Sequence, residues 1–345
     1  MTPLITALID TYNHEKYIEQ AVGSVLEQGL SAEELEIVVV DDGSTDGTAE
    51  IIKKFAPRVK HVRKKNGGQA SAFNAGFAET HGQIIAPLDG DDWWAKGKLA
   101  AVVEALQRNP EVCAVSHGYY KFYESTNEFE AIGPQEATLL NLTSPEAARV
   151  AFRNWPFLAT GALTVRRELM ERVIPIPEKL VFLADAPINV ASLAGAVLVL
   201  PQVLSYYRLH STNLFAVERA DTGKVGRKYE MTDVMFSVLR PMLLRLGVSE
   251  ACVSAFIDPP WTDANRFYLR NFGGSRLRTL RTEMRYIRTQ YKKAAIGYRV
   301  FSCLVLGGAS LVLPPRRFYE LYDWYGRKNF GRLWRRIARR DTTRP

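Results

Sequence analysis

Three carboxylates, Asp89, Asp91 and Asp92, stand within four positions directly after an apolar run in QIIAPLDGDDWW, residues 83–94. Carboxylates that close repel one another and lose hydration unless a cation sits among them. Oxygen ligands with no nearby cysteine suit a hard ion, Mg2+ or Mn2+, which binds one or two carboxylates and completes its shell with water and substrate phosphates. A D-x-D spacing by itself reads more readily as a solvated Asp-Gly turn ahead of a helix. Its surroundings decide the matter.

The elements that would position these residues repeat a simple unit. Leu4–Ile9 is an apolar run ending at Asp10, and His14–Gln28 carries Tyr17, Ile18, Val22, Val25 and Leu26 at helical spacing. Ile37–Val40 is a second run, stopped by Asp41-Asp42-Gly43, with helical spacing again over Thr48–Phe55. Val59–Val62, a helix over Gln69–Thr80 and a strand over Gln83–Leu88 follow. Strands apolar throughout and alternating with helices predict an α/β fold with a mainly parallel, Rossmann-like sheet covered on both faces. Ligands of such sheets sit beyond the strands' carboxyl ends, where Asp10-Thr11-Tyr12, Asp41-Asp42 and Asp89-Gly90-Asp91 all fall. Neither a G-x-G-x-x-G after the first strand nor a P-loop is present, so phosphates must be held otherwise. A divalent ion bridging Asp91 to a diphosphate would do so and would stabilise a departing diphosphate. That chemistry calls for a nucleotide-activated group.

LIDTYNHEKYIEQAVGSVLEQ, IVVVDDGSTDGT, NGGQASAFNAGFAETHGQIIAPLDGDD and YYRLHSTN, in this order over roughly residues 4–215, resemble the successive motifs of family 2 glycosyltransferases. These are inverting GT-A-fold enzymes that use nucleotide-diphosphate sugars. The resemblance implies that Tyr12 and Asp41 contact the nucleotide base, with Thr11 beside them, and that Asn66, Gly67 and Asn74 lie next to the donor. It places Asp89 near the ribose and the metal's waters, Asp91 on the metal, and His210 within reach of the metal or diphosphate. A uridine nucleotide is expected from family frequency. Two positions depart from the pattern. Asp10 replaces a proline or small residue and could add a polar contact to the base pocket, and Lys96 replaces a proline. Asp185 occupies the place of the family's catalytic base, but Ala184 replaces the glutamate that usually precedes it. Asp185 also reads as a helix N-cap, followed by Pro187 in the first turn, where the helix dipole would lower its pKa. Ala184 leaves open, as the alternative function, a chain that binds sugar nucleotide or a partner without turning it over.

The rest of the chain is read more coarsely. Lys98–Arg108 is a helix, Val112–Tyr123 forms strands, residues 124–160 are irregular, and strands at Ala196–Leu200 and Val203–Leu209 are split by Pro201. Trp155 could stack on an acceptor sugar or belong to the core. A catalytic domain over 1–215, with a donor half to about 110 and an acceptor half after it, would then precede a helical module over 216–345. Within that module 228–246, 249–271 and the basic Arg276–Lys293 read as helices. Val300–Leu313 has no charge, is shorter than the about 20 residues that span a bilayer, and contains Gly307-Gly308. A buried hairpin or interfacial re-entrant segment is expected there. From Arg316 onward ten Lys and Arg face three Asp and Glu, interleaved with aromatics, out of a formal +8 for the chain. Such a tail suits an anionic membrane surface. With three scattered cysteines, no zinc spacing and no leader-like N-terminus, a cytoplasmic enzyme at the inner face of the cell membrane is expected. Its partners would be a nucleotide-sugar donor and a glycan or lipid-linked acceptor. No nucleic-acid-binding pattern occurs, and the acidic site argues against such a ligand.

Overall fold

A computed structural model describes residues 3–213, 222–292 and 294–326. They form two compact units: one runs to Asn213 and takes in Val234–Phe256, and the other comprises 222–233 and 257–326. The expected boundary near 215 lies outside the described residues. Residues 234–256 join the first unit because Phe236 and Phe256 pack on Trp155, with ring centroids 6.4 and 5.6 Å away. Trp155 is therefore half-buried in an aromatic cluster.

In the first unit, β1 (Ile5–Thr11), α1 (Ile18–Leu26), β2 (Leu35–Asp41), α2 (Thr48–Lys53), β3 (Lys60–Arg63), α3 (Gln69–Ala78) and β4 (Ile84–Asp89) follow the alternation of the sequence. The chain continues through β5 (Trp93–Trp94), α4 (Lys98–Arg108), β6 (Ala114–Tyr123), β7 (Glu128–Ile132), β8 (Thr138–Leu140) and α5 (Pro145–Asn154). After these come β9 (Thr164–Arg166), α6 (Arg167–Val173), α7 (Ala186–Gly195) and β10 (Val197–Leu209). The sheet order is β3-β2-β1-β4-β9-β6-β10-β5, with β7 on β6 and β8 on β10. β1 pairs in parallel with β2 and β4, as their unbroken apolar runs require, and their side chains are buried from end to end apart from a few partly exposed positions.

Three expectations are corrected here. The irregular stretch 124–160 holds β7, β8 and α5. β7 is exposed and rich in glutamate and β8 is only three residues long, so neither has a strand signature, whereas α5 has a helix-start signature in Ser144, whose hydroxyl accepts from Ala147 N at 3.1 Å, followed by Pro145. β10 runs on through Pro201, since its pairing with β6 shifts register between Leu200 and Val203 and so needs no donor from the proline. The helix expected from His14 starts only at Ile18, because Tyr17 and Ile18 first fold back onto His14 O.

α8 (Thr222–Arg245) and α9 (Glu250–Phe272) contribute to both units. The second unit is otherwise built from α10 (Arg276–Gln290), α11 (Ile296–Val312) and a helix over 315–326. Leu269, Tyr286, Ile287, Leu306, Phe318 and Tyr319 form its apolar core. The uncharged segment is thus a helix and not a hairpin. Its glycines do not break it because Gly307 lets α10 approach: a Cβ there would already touch Leu280 Cδ1 at 3.3 Å and Met284 Cε at 3.4 Å. Residues of the basic tail from 327 on lie outside the described residues.

Candidate active site

The register sets Asp10 opposite Asp89 and Thr11 opposite Asp41, so the carboxyl ends of β2, β1 and β4 share one edge of the sheet. β10 pairs antiparallel with β5 and brings Arg208, His210 and Asn213 to the same corner. There the Asp91 carboxylate shares a 2.9 Å hydrogen bond with His210 Nε2 and accepts one of 3.3 Å from Asn213, with His14 Nε2 at 3.9 Å. The Thr212 hydroxyl on His210 Nδ1, at 2.7 Å, fixes the ring. Burial opposes the charge of Asp91, but the His210 bond and the neighbouring His14 and His210 hold its carboxyl below the ordinary range.

The other acids move the opposite way. Burial and then the nearby Asp91 push Asp10 up to about 7 against its hydrogen bond with Asp89. Asp89 and Asp92 are raised well above the usual range, first by burial and then by the carboxylates around them. Asp92 is turned inward, accepting from Arg208 N at 2.8 Å, and Asp89 accepts from Gln69 Nε2 at 3.1 Å. Asp10 Oδ1 is buried without a hydrogen-bond partner. Acids raised for want of positive charge, beside an unpaired buried oxygen, fit a hard divalent cation. Among the described residues no three of His, Cys, Asp or Glu are already gathered at metal-holding geometry. Asp91 and His210 are the expected ligands that the fold brings together, and Asp89 is the one it gives to Gln69.

Asp185 does not cap α7. Its φ of −69° and ψ of −30° are already helical, whereas a cap needs an extended residue, and its side chain makes no capping hydrogen bond. Instead Oδ2 accepts from Asn189 Nδ2 at 2.8 Å. Burial raises this carboxyl, with hydrogen bonds from Thr160 and Asn189 opposing. Its charge reaches Asp10 and Asp89, which places it in the same acidic cluster. Ala184 takes part through its backbone: its N–H donates to Gln69 Oε1 at 3.1 Å, so one glutamine amide joins Asp89 to the residue before Asp185.

On the nucleotide side Tyr12 is 44% exposed, and Thr11 is buried, its hydroxyl 3.2 Å from His14 Nδ1. Asp41 Oδ1 accepts from Ser44 N at 2.8 Å, while its buried Oδ2 has Arg63 Nε at 3.4 Å and no hydrogen bond. Asn66 and Gly67 lie on a loop gathered around Asp42, which receives Gly68 N at 2.7 Å and Lys64 Nζ at 2.6 Å. Asn74 is not brought to this edge: both ends of its amide bond the backbone of Ile176 at 2.8 Å. Gln69, Arg208 and His14 carry no site role in the sequence reading, although all three lie inside the quoted motifs. Only long-range partners reveal them, as when Arg208 Nε reaches Asp91 O at 2.9 Å.

The family described as Glycosyl transferase family 2 matches residues 6–174. An uncharacterized glycosyltransferase of Nostoc sp. is 36% identical over 256 residues, covering 70% of this chain and 76% of that protein. The chain belongs to glycosyltransferase family 2. The uncharacterized glycosyltransferase EpsJ of Bacillus subtilis is 31% identical over 229 residues, 62% of this chain and 63% of its own. Among solved structures, S. aureus TarS 1-349 superposes with a TM-score of 0.62 at 17% identity, covering 89% of this chain and 90% of that one. The same fragment in complex with UDP-GlcNAc gives 0.60 at 16% identity. The fold is GT-A, and the protein is a glycosyltransferase with additional carboxyl-terminal helices.

In this glycosyltransferase the glycine between Asp89 and Asp91 has a steric cause. A Cβ on Gly90 would lie 2.7 Å from Thr11 Cβ and 3.0 Å from Asp10 O, while Gly90 N donates to that oxygen at 2.8 Å. Gly90→Ala must therefore push the acidic turn off β1. The expected cost is about 1–3 kcal/mol by denaturant unfolding, with a loss of transfer rate exceeding what instability explains. A variant as stable and active as the parent would refute this packing.

Proposed function

We propose that this glycosyltransferase moves a sugar from a nucleotide-diphosphate sugar, most simply a UDP-sugar, to a hydroxyl of a glycan or lipid-linked acceptor, inverting the anomeric configuration. The observation that carries this reading is geometric: Asp91, bonded to His210 at 2.9 Å, stands at the same sheet edge as Asp89, which Gln69 joins to the residue before the buried Asp185. Asp185 takes the acceptor proton, with Asn189 and Thr160 keeping its carboxylate oriented. Tyr12 offers a ring face to the base, and Asp41 Oδ2, which has Arg63 Nε at 3.4 Å but no hydrogen bond, accepts from a base N–H. Asp91 and His210 would hold Mn2+ or Mg2+, which when bound offsets charge on the departing nucleoside diphosphate. The UDP-GlcNAc complex of a protein with this fold supports the choice of donor. Synthesis of a surface polysaccharide or glycoconjugate at the cytoplasmic face of a membrane is the setting we assign, on the strength of the basic carboxyl-terminal sequence.

An assay of nucleotide-sugar hydrolysis without acceptor tests the reading. Slow, saturable release of sugar from one donor, strongly reduced by EDTA and restored by Mn2+, is the expected result. Undiminished turnover in EDTA would remove the metal from the proposal, and failure to bind any nucleotide sugar would remove the donor.

A further inference from the structure

α11 is amphipathic the wrong way round for water. The residues it buries are Ser302, Leu306, Gly307 and Ser310, and Ser302 Oγ has no hydrogen-bond partner. Every exposed residue of the helix is aliphatic or glycine, and Ile296, Leu304 and Val312 are 78%, 70% and 72% exposed. A helix packed on a soluble core buries its large aliphatics and exposes its serines. The reversed pattern means that the outer face is not built for water.

What covers it is indicated by its margins. Arg299 lies on the helix itself, and the exposed Arg316 and Arg317 follow its end. Trp324, 77% exposed, and the exposed Tyr325 lie on the helix over 315–326 that follows. Although Arg316 shares Glu320 at 3.3 Å and Asp323 is paired with Arg270, an apolar strip with arginines at its margins and exposed tryptophan and tyrosine beyond its end matches a bilayer interface in cross-section: acyl chains, then anionic headgroups at the level of the aromatic rings. Among the described residues no helix is long and apolar enough to cross a membrane. We infer that the outer face of α11, together with Trp324 and Tyr325, is a membrane-docking surface that seats this unit in the interfacial layer of an anionic bilayer. This deepens the membrane setting assigned above and is independent of the donor site.

Flotation of the full chain with phosphatidylcholine vesicles, with and without phosphatidylglycerol, tests it. The wild type is expected to float with the anionic vesicles, and part of this binding should persist in high salt, because the aliphatic strip is not screened. Val300→Asp with Leu304→Asp should lower partitioning about tenfold or more. Arg316→Glu with Arg317→Glu should lower only the salt-sensitive part. Since the substituted aliphatics are exposed, melting temperature should not change; if the double variant fails to fold, Leu304→Gln alone must still reduce flotation. Equal flotation of wild type and a folded aspartate or glutamine variant overturns the proposal. So does a wild type that ignores vesicles but forms a dimer that Leu304→Asp splits, which would give this face to a second copy. Hydrolysis of donor without vesicles should be the same in all of these proteins. Its absence in the wild type would count against the donor reading and leave the docking surface standing.

Discussion

Asp91→Asn is expected to fold normally and to lose about three orders of magnitude in transfer rate, together with most of its affinity for a nucleoside diphosphate. Asparagine can still accept from His210, so the buried imidazole keeps its partner and stability changes little. What disappears is the one carboxyl of the cluster that its surroundings keep charged. Asp92 and Asp89 are not free to replace it, because Asp92 is turned inward to Arg208 N at 2.8 Å and Asp89 is held by Gln69 Nε2 at 3.1 Å. Single-turnover rates and UDP titration with and without Mn2+ would check this. Near-normal rates in a folded variant would move the diphosphate's charge compensation elsewhere.

Asp185→Asn should cost roughly two to four orders of magnitude in rate while leaving donor affinity intact. The pH profiles should also differ. Because burial raises the Asp185 carboxyl, wild-type kcat/KM should fall with acid at a pH above the usual carboxylate range, and the variant's residual rate should lack that limb. The sign for stability is opposite. A carboxyl whose pKa is higher folded than unfolded favours folding below its unfolded value and opposes it above its folded value. At neutral pH the variant should therefore melt at or above the wild-type temperature, the more so because no capping bond is lost. A clear drop in melting temperature would return Asp185 to a structural role.

The strand ends were legible because charge cannot continue a buried strand. Each of β1, β2 and β4 had to stop where the aspartates begin, and parallel pairing then fixed which edge they share. The helix after Asp185 was equally legible, but the direction of the aspartate's side chain was not, since that depends on backbone angles and on Asn189. Asn74 illustrates the main limit: its partners in Ile176 are 102 residues away, and no local pattern announces them. Gln69 and Arg208 escaped for the same reason. In the sequence Gly307 reads as a breaker of its own helix, whereas in the fold it lets the neighbouring α10 approach.

The Gln69 bridge also limits how this enzyme can be recombined. Gln69 N donates to Val181 O at 2.9 Å, its side chain takes the N–H of Ala184, and a Cβ on Gly68 would strike Val181 O at 2.9 Å. The segment that delivers Asp185 is therefore moulded on the first turn of α3, more than a hundred residues earlier in the chain. A chimera that imports residues 180–196 from another enzyme to change acceptor preference would carry a base fitted to a foreign helix start. Residues 66–69 would have to travel with the graft, making these two distant stretches one exchangeable part.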